Sequence, residues 1–169
     1  MTSATNDTGF LRLPFTKKPV KMTVFERPDY PDGAVLSSSL AVFDAFKGYA
    51  RADREFFCVC YLDAKNRAIE VIEASEGTIN QAAVYPREII RGALILGAVS
   101  IVCFHNHPSG DPEPSLCDKE LTKEIAFACK FMQIRFLDHI VLGKDCFYSF
   151  ADKGVMQDFD LQFQSLARR

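Results

Sequence analysis

Apolar residues occur along the chain in two arrangements: short unbroken runs, and longer stretches in which they recur every three or four positions. Short runs are typical of buried strands, and the longer repeat is typical of helices with one buried face. Because the two kinds of segment alternate, we expect an α/β fold with a sheet covered by helices on its faces. The pattern predicts strands at Glu55–Leu62, Ala68–Ala74, Ser100–Phe104, Phe136–Leu142 and Cys146–Phe150, and helices at Leu40–Tyr49, from Pro86 to near Gly97, and at Ser115–Met132.

The first 33 residues depart from this pattern, since they contain four prolines and few periodic apolar positions. They predict an irregular arm with one short strand at Val20–Phe25. The length of 169 residues suits one compact domain. We therefore divide the chain into an irregular N-terminal arm (1–35), one domain (36–154) and a C-terminal tail (155–169).

Composition and charge restrict the classes of function. A hydrophobic content of 48% and a charged content of 25% are ordinary for a globular domain. The net charge of −2 gives no general attraction to nucleic acid or to an anionic membrane. The most apolar stretch, Ala93 to Phe104, is shorter than the roughly 20 residues of a spanning helix, and no signal peptide is visible at the N-terminus. We expect a cytoplasmic protein that has no membrane partner.

Six cysteines are present, and four of them lie inside apolar runs, where free thiols pack as small hydrophobic groups. Cys58 and Cys60 form a C-x-C pair, but no second pair at ligand spacing accompanies it. Core packing is therefore favoured over a structural zinc site at these thiols.

Two of the three histidines, His105 and His107, directly follow an apolar strand. Residues i and i+2 of a strand project to the same face, so both imidazoles can approach one metal ion. With Asp118, they form the three-ligand set of a catalytic zinc site, whose fourth position is left to water. The same set could hold non-haem iron.

Simpler interpretations of these residues remain open. The two histidines could be surface residues at a strand end, and Ser115-x-x-Asp118 matches a helix capping box, which needs no metal. Capping and metal binding are compatible, because a fixed helix start would also direct the Asp118 carboxylate.

H-x-H-P followed by S-x-x-D, with a glutamate on an earlier strand, resembles the signature of the JAMM (MPN+) metalloproteases. The segments REFFCVCYLDAKN, EGTINQAAVYPREIIRGAL, FHNHPSGDPEPSLCD, LDHIVLG and YSFADKG are similar to the RadC family, whose JAMM-like domain is its C-terminal part. The resemblance covers about Leu36 to Gly154 and implies a mixed β-sheet of the JAMM/MPN, cytidine-deaminase-like type. Full-length RadC proteins carry a helix-hairpin-helix region ahead of this domain. The first 35 residues are too short and proline-rich for one, so we expect the short form.

The resemblance also implies roles for individual residues. His105, His107 and Asp118 match the family's Zn²⁺ ligands, Glu55 matches its general base, and Ser115 matches the serine that faces the reacting carbonyl oxygen. Together they imply a zinc-dependent hydrolase that cleaves a peptide or isopeptide bond of an unknown protein or peptide substrate through metal-activated water.

Glu73, Glu76 and Glu88 compete with Glu55, which only the family's E-x-F-x-V-x-x-L-D pattern favours. Asp138 and His139 are adjacent on a strand and point to opposite faces, so at most one of them can support a ligating histidine. Structural hydrogen bonds are the simpler assignment for both.

A different class of function is a DNA-repair-associated accessory protein without hydrolytic activity, which is the family's traditional description. The absence of a helix-hairpin-helix, the net charge of −2 and the small basic clusters disfavour this alternative. We expect no strong binding of nucleic acid.

Overall fold

The computed structural model describes residues 34–52, 54–76 and 84–167 of the chain. The predicted strand at Val20–Phe25 and nearly all of the predicted N-terminal arm lie outside these residues. In chain order the elements are α1 (Ser39–Phe46), a 3₁₀ helix (Lys47–Arg51), β1 (Phe56–Leu62), β2 (Ala68–Glu76), α2 (Pro86–Leu96), β3 (Ser100–Asn106), α3 (Leu116–Phe131), β4 (Arg135–Leu142), β5 (Phe147–Ser149) and α4 (Val155–Ala167).

The strands form one mixed sheet in the order β2–β1–β3–β4–β5. β1 runs antiparallel to both β2 and β3, β3 and β4 are parallel, and β5 is antiparallel to β4. Every residue of β1 and β3 is buried, as their unbroken apolar runs predict. The predicted α/β fold with a mixed sheet is therefore confirmed, and β3, which contains His105 and is followed at once by His107, lies at its centre.

Alternate residues of the central strands contribute to separate cores on the two faces of the sheet. On one face, Phe104 stacks on Phe46 of α1 with ring centroids 4.2 Å apart. On the other face, Cys103 belongs to a cluster that α2 and α3 cover. Because successive side chains of a strand alternate, His105 and His107 project on the face that α3 covers.

The helix ends follow local sequence signals. The Ser38 hydroxyl accepts a hydrogen bond from the third residue beyond it and caps α1. The predicted helix stops early, at Phe46, and continues as the 3₁₀ helix, which contains Gly48, a poor helix former. As predicted, α2 begins at Pro86 and is ended by Gly97 in the left-handed conformation (φ 64°).

The segment expected to be a C-terminal tail contains α4. Phe159 is buried against α3 and the end of the sheet, and the ring of Phe163 packs against two phenylalanines of α3. Asp160 forms an ion pair with Lys130 of α3. The spacing of four between the two phenylalanines of α4 is a helical repeat, so burial of one apolar face explains why this segment is ordered as a helix.

The cysteine prediction is confirmed, since Cys58, Cys60, Cys103 and Cys129 are buried free thiols. Burial raises the pKa of each of these thiols, which keeps them protonated and unsuited to metal binding. Within the described ranges, no helix has the length and apolar character that a bilayer crossing requires.

Asp138 joins the end of the sheet to the turn that precedes α4. Its carboxylate accepts hydrogen bonds from the Ser149 hydroxyl and from the backbone N–H groups of His139 and Ala151. These bonds lower the pKa of Asp138, but burial outweighs them and raises it to about 6. A buried carboxyl therefore titrates close to neutral pH at this junction.

This pKa predicts a pH dependence of stability. The pKa of Asp138 is about 6 in the folded protein, above the value of about 3.9 in an unfolded chain. The folded state therefore binds the proton more tightly, and the free energy of unfolding falls as the pH rises from about 4 to about 6. The contribution is at most about 3 kcal/mol.

Asp138→Asn should lack this dependence. Chemical denaturation of both proteins with a chelator present should show the variant gaining stability relative to wild type between pH 4 and pH 6. A stability difference that stays constant across this range would contradict the assignment.

Candidate metal centre

The site begins where β3 ends. His105 is the penultimate residue of β3, and the backbone N–H of His107 donates to the carbonyl of Leu142 on β4, so both histidines are held in strand geometry. Their Nε2 atoms lie 3.0 Å apart. His105 is fully buried, whereas the His107 side chain is 18% exposed, so the site opens to solvent on the His107 side.

Asp118 enters the site from the first turn of α3. The backbone N–H and the hydroxyl of Ser115 both donate to Asp118 Oδ2 (2.7 Å each), and the Asp118 N–H donates back to the Ser115 hydroxyl (3.2 Å). The predicted capping box is therefore confirmed. It turns the carboxylate toward the histidines, with Oδ1 at 3.4 Å from His105 Nε2 and Oδ2 at 3.6 Å from His107 Nε2.

Glu55 lies just before β1, which is the antiparallel neighbour of β3. A carboxylate oxygen of Glu55 and the ligand atoms of His105, His107 and Asp118 all lie within 4.8 Å of one another. The structure therefore brings together all four residues that the family pattern selected for the ligands and the base. Among the described residues, no other carboxylate joins this group, and Glu88 instead contacts two arginines of its own helix.

The hydrogen bonds on the far side of His107 determine which of its nitrogens carries the proton. His107 Nδ1 is 2.7 Å from the carbonyl oxygen of Asp111, which can only accept. Nδ1 therefore carries a proton, and in the neutral form of the ring Nε2 presents a lone pair to the site.

A longer chain of hydrogen bonds determines which nitrogen of His105 carries a proton. The Thr122 hydroxyl donates its one proton to the Asp118 carbonyl, so it must accept from His139 Nδ1 (2.6 Å). Burial lowers the pKa of His139 well below its usual value, so the ring is neutral and its Nε2 accepts from His105 Nδ1 (2.8 Å). In the neutral form of the His105 ring, Nε2 is then left with a lone pair that faces the site.

These contacts show that the three residues suit a metal ion. The Nε2 lone pairs of His105 and His107 and the Asp118 carboxylate face one another at separations of 3.0–3.6 Å. Ligands arranged tetrahedrally at about 2.0–2.1 Å from zinc lie roughly 3.3 Å from one another. Both the donor types and their spacing therefore fit a small divalent cation.

The charge of the site also favours a metal cation. Burial alone would raise the pKa of Asp118, but its contacts with His105, His107 and Ser115 outweigh burial and hold that pKa well below the usual range. The Asp118 carboxylate in turn raises the pKa of His107. Asp118 is thus ionised at neutral pH, and its negative charge favours a proton on a neighbouring imidazole or a metal cation in its place.

Sequence reasoning left His139 out of the site, as a residue with a structural hydrogen bond, and missed Thr122 and Asp111. The structure assigns His139 to the site and Asp138, on the opposite face of β4, to the junction before α4. Thr122 had a detectable signal, since it follows Asp118 by four residues on one helix and so shares its face. Asp111 acts through its backbone carbonyl, which no side-chain pattern reports.

Comparison with known proteins identifies the family of this domain. A family profile described as "RadC-like JAB domain" matches residues 36–155. A UPF0758 protein of Actinobacillus succinogenes is 50% identical over 101 residues, which cover 60% of this chain and 46% of the relative. UPF0758 proteins of Pasteurella multocida and Photorhabdus laumondii are each 47% identical, over 62% and 60% of this chain and 46% and 44% of their own lengths. The matched region therefore spans less than half of each of these relatives.

The hydrogen-bond chain behind His105 predicts that His139 supports metal binding. We expect His139→Leu, which cannot accept from His105 Nδ1, to weaken zinc binding by about 10- to 100-fold. His139→Gln should retain most of the affinity, because its side-chain carbonyl can accept that proton. Competition with a chromogenic chelator measures both affinities.

His107→Ala serves as the reference variant, since loss of a ligand should bring the zinc content from about one equivalent to near zero. Thermal melts of all variants in chelator separate metal affinity from folding. Equal zinc affinity in His139→Leu and wild type would contradict the role given to His139.

Proposed function

This chain belongs to the family of RadC-like JAB domains, and we propose that it is a zinc-dependent hydrolase that cleaves a peptide or isopeptide bond. The proposal rests on one observation. The Nε2 atoms of His105 and His107 and the carboxylate of Asp118 face one another, and the distances between them fit one tetrahedral ion. Glu55, a carboxylate that can act as a base, lies beside them. Three protein ligands favour a catalytic ion over a structural one, which has four.

Zinc held by the two histidines and Asp118 would supply a Lewis acid that lowers the pKa of a water ligand to about 7. The remaining steps belong to the chain's own residues. A Glu55 carboxylate oxygen takes a proton from the attacking water and then delivers it to the leaving amine nitrogen, which departs as a neutral amine. No covalent enzyme intermediate is required.

Ser115 has two tasks in this proposal. Its hydroxyl donates to Asp118 Oδ2 and accepts from the Asp118 N–H, so it fixes both the start of α3 and the direction of a ligand. The same hydroxyl lies beside the ion-binding atoms and can turn to donate to the carbonyl oxygen of a substrate as charge develops there. The capping hydrogen bonds are present throughout, whereas donation to the substrate takes place only during the reaction.

The general base is the first test. Glu55→Gln should fold normally and retain zinc, because it is nearly isosteric and removes no ligand. It should lose hydrolysis by roughly 100- to 10,000-fold. Screening the zinc-loaded protein against libraries of α-linked peptides and of lysine ε-linked isopeptides supplies a substrate, and elemental analysis for zinc and iron identifies the ion.

Glu88→Gln is the matched control, because Glu88 is a half-exposed glutamate that pairs with arginines on α2. It should cleave as fast as wild type. The assignment of the base fails if Glu55→Gln cleaves like wild type, and the hydrolase proposal fails if zinc-loaded protein cleaves neither library.

Ser115→Ala should lower both stability and activity. Loss of the cap should cost about 1 kcal/mol of the free energy of unfolding, and hydrolysis should fall by less than in Glu55→Gln. Ser38→Ala, which removes the cap of α1 far from the site, is the control for stability. If Ser115→Ala and Ser38→Ala lose stability alike and both keep full activity, Ser115 is only a cap.

A further inference from the structure

The residue between the two histidines has a role that the metal site does not explain. Asn106 is fully buried, and its side chain lies on the opposite face of β3 from the imidazoles. Its Oδ1 accepts from the backbone N–H of Phe56 (2.8 Å), and its Nδ2 donates to the backbone carbonyl of Arg54 (2.9 Å). These two backbone groups belong to the residues on either side of Glu55.

The Asn106 amide replaces a peptide group at the end of the strand pairing. The register of β1 with β3 runs up to the pair Phe57–His105, and the next residues in line are Phe56 and Asn106. At that point the side-chain amide, which has the same donor and acceptor as a peptide, binds the chain before β1. The Asn106 backbone meanwhile pairs with Leu142 of β4.

We propose that Asn106 is a positioning residue for Glu55, which it holds at the metal site by binding the backbone on both sides of it. This inference rests on the proposed function, because it assumes that Glu55 is the base. Phe56 packs in the core on the α1 side, so Glu55, one residue earlier, projects toward the histidines. One three-residue segment, His105 to His107, thus supplies two ligands and sets the position of the base relative to them.

A carboxylate needs this kind of support to act as a base. Misplacement of a reacting group by about 1 Å can reduce a rate 100-fold. Glu55 lies outside the regular ladder of β1, so the ladder alone does not fix its backbone. The two hydrogen bonds of Asn106 fix it from a strand that the metal ligands already hold in place.

The experiment compares two variants with a control. Asn106→Ala removes both hydrogen bonds, and Asn106→Asp keeps the shape and the bond from Phe56 but loses the donor to Arg54. Val102→Ala, on the same strand and the same face, is the control for loss of packing. All are prepared as the full chain, with and without zinc.

Three measured quantities should change together: the exchange rate of one amide hydrogen, the Glu55 signal and the rate of hydrolysis. Exchange of the Phe56 amide hydrogen should accelerate about tenfold in Asn106→Ala, as for the loss of one hydrogen bond. The change in the Glu55 carboxyl ¹³C signal on addition of zinc should shrink by more than half, while zinc affinity stays within about threefold of wild type. Hydrolysis should fall by about 10- to 100-fold, with Asn106→Asp between Asn106→Ala and wild type.

A double variant separates positioning from a structural effect. In the Glu55→Gln background, Asn106→Ala should cause no further loss of hydrolysis. In the chain that retains Glu55, Val102→Ala should leave the zinc-dependent Glu55 signal unchanged. The inference is overturned if a folded Asn106 variant keeps the zinc-dependent Glu55 signal of wild type, or if the Asn106 and Glu55 losses add. If neither library is cleaved, the proposed function fails, but the amide exchange and the Glu55 signal still decide whether Asn106 positions Glu55.

Discussion

Three groups that can bind either a proton or a metal ion, the imidazoles of His105 and His107 and the carboxylate of Asp118, face one another at the end of β3. His107, directly after β3, donates its Nδ1 proton to the Asp111 carbonyl, and His105, within β3, donates its Nδ1 proton to His139, while Asp118 remains ionised beside both. Burying such a set costs free energy unless a cation compensates it. The surrounding contacts maintain this arrangement, since the capping box holds Asp118 and Thr122 fixes the ring of His139.

The order of the strands explains how residues far apart in sequence reach this point. β3 lies between an antiparallel neighbour, β1, and a parallel one, β4. The end of β3 is therefore next to the start of β1, which is preceded by Glu55, and His139 is carried on β4 beside it. Because one neighbour of β3 is antiparallel and the other is parallel, a base that precedes β1 and a supporting imidazole from β4 both lie beside the end of β3.

The sequence alone predicts the parts of the site that are local. Two histidines two residues apart and a serine three residues before Asp118 have geometric consequences that a strand and a helix start impose by themselves. The contacts of His139 and Asn106 depend on the register between strands, which apolar runs buried on both faces do not specify. Glu55 could be selected only through the family pattern, because nothing in its immediate sequence distinguishes it from Glu73. α4 is a different case, because the spacing of Phe159 and Phe163 is a helical signal in the sequence, although their packing partners on α3 become known only from the structure.

The capping box has a thermodynamic consequence beyond geometry. Asp118 is at once the residue that closes the first turn of α3 and a residue whose carboxylate faces the cation position. Any ion that binds this carboxylate only in the folded chain must, by mass action, raise the free energy of unfolding by RT ln(1 + [ion]/Kd). The stability of the folded chain, α3 included, is then linked to the free ion concentration around the protein. The unfolded fraction of the protein therefore rises as the ion is withdrawn.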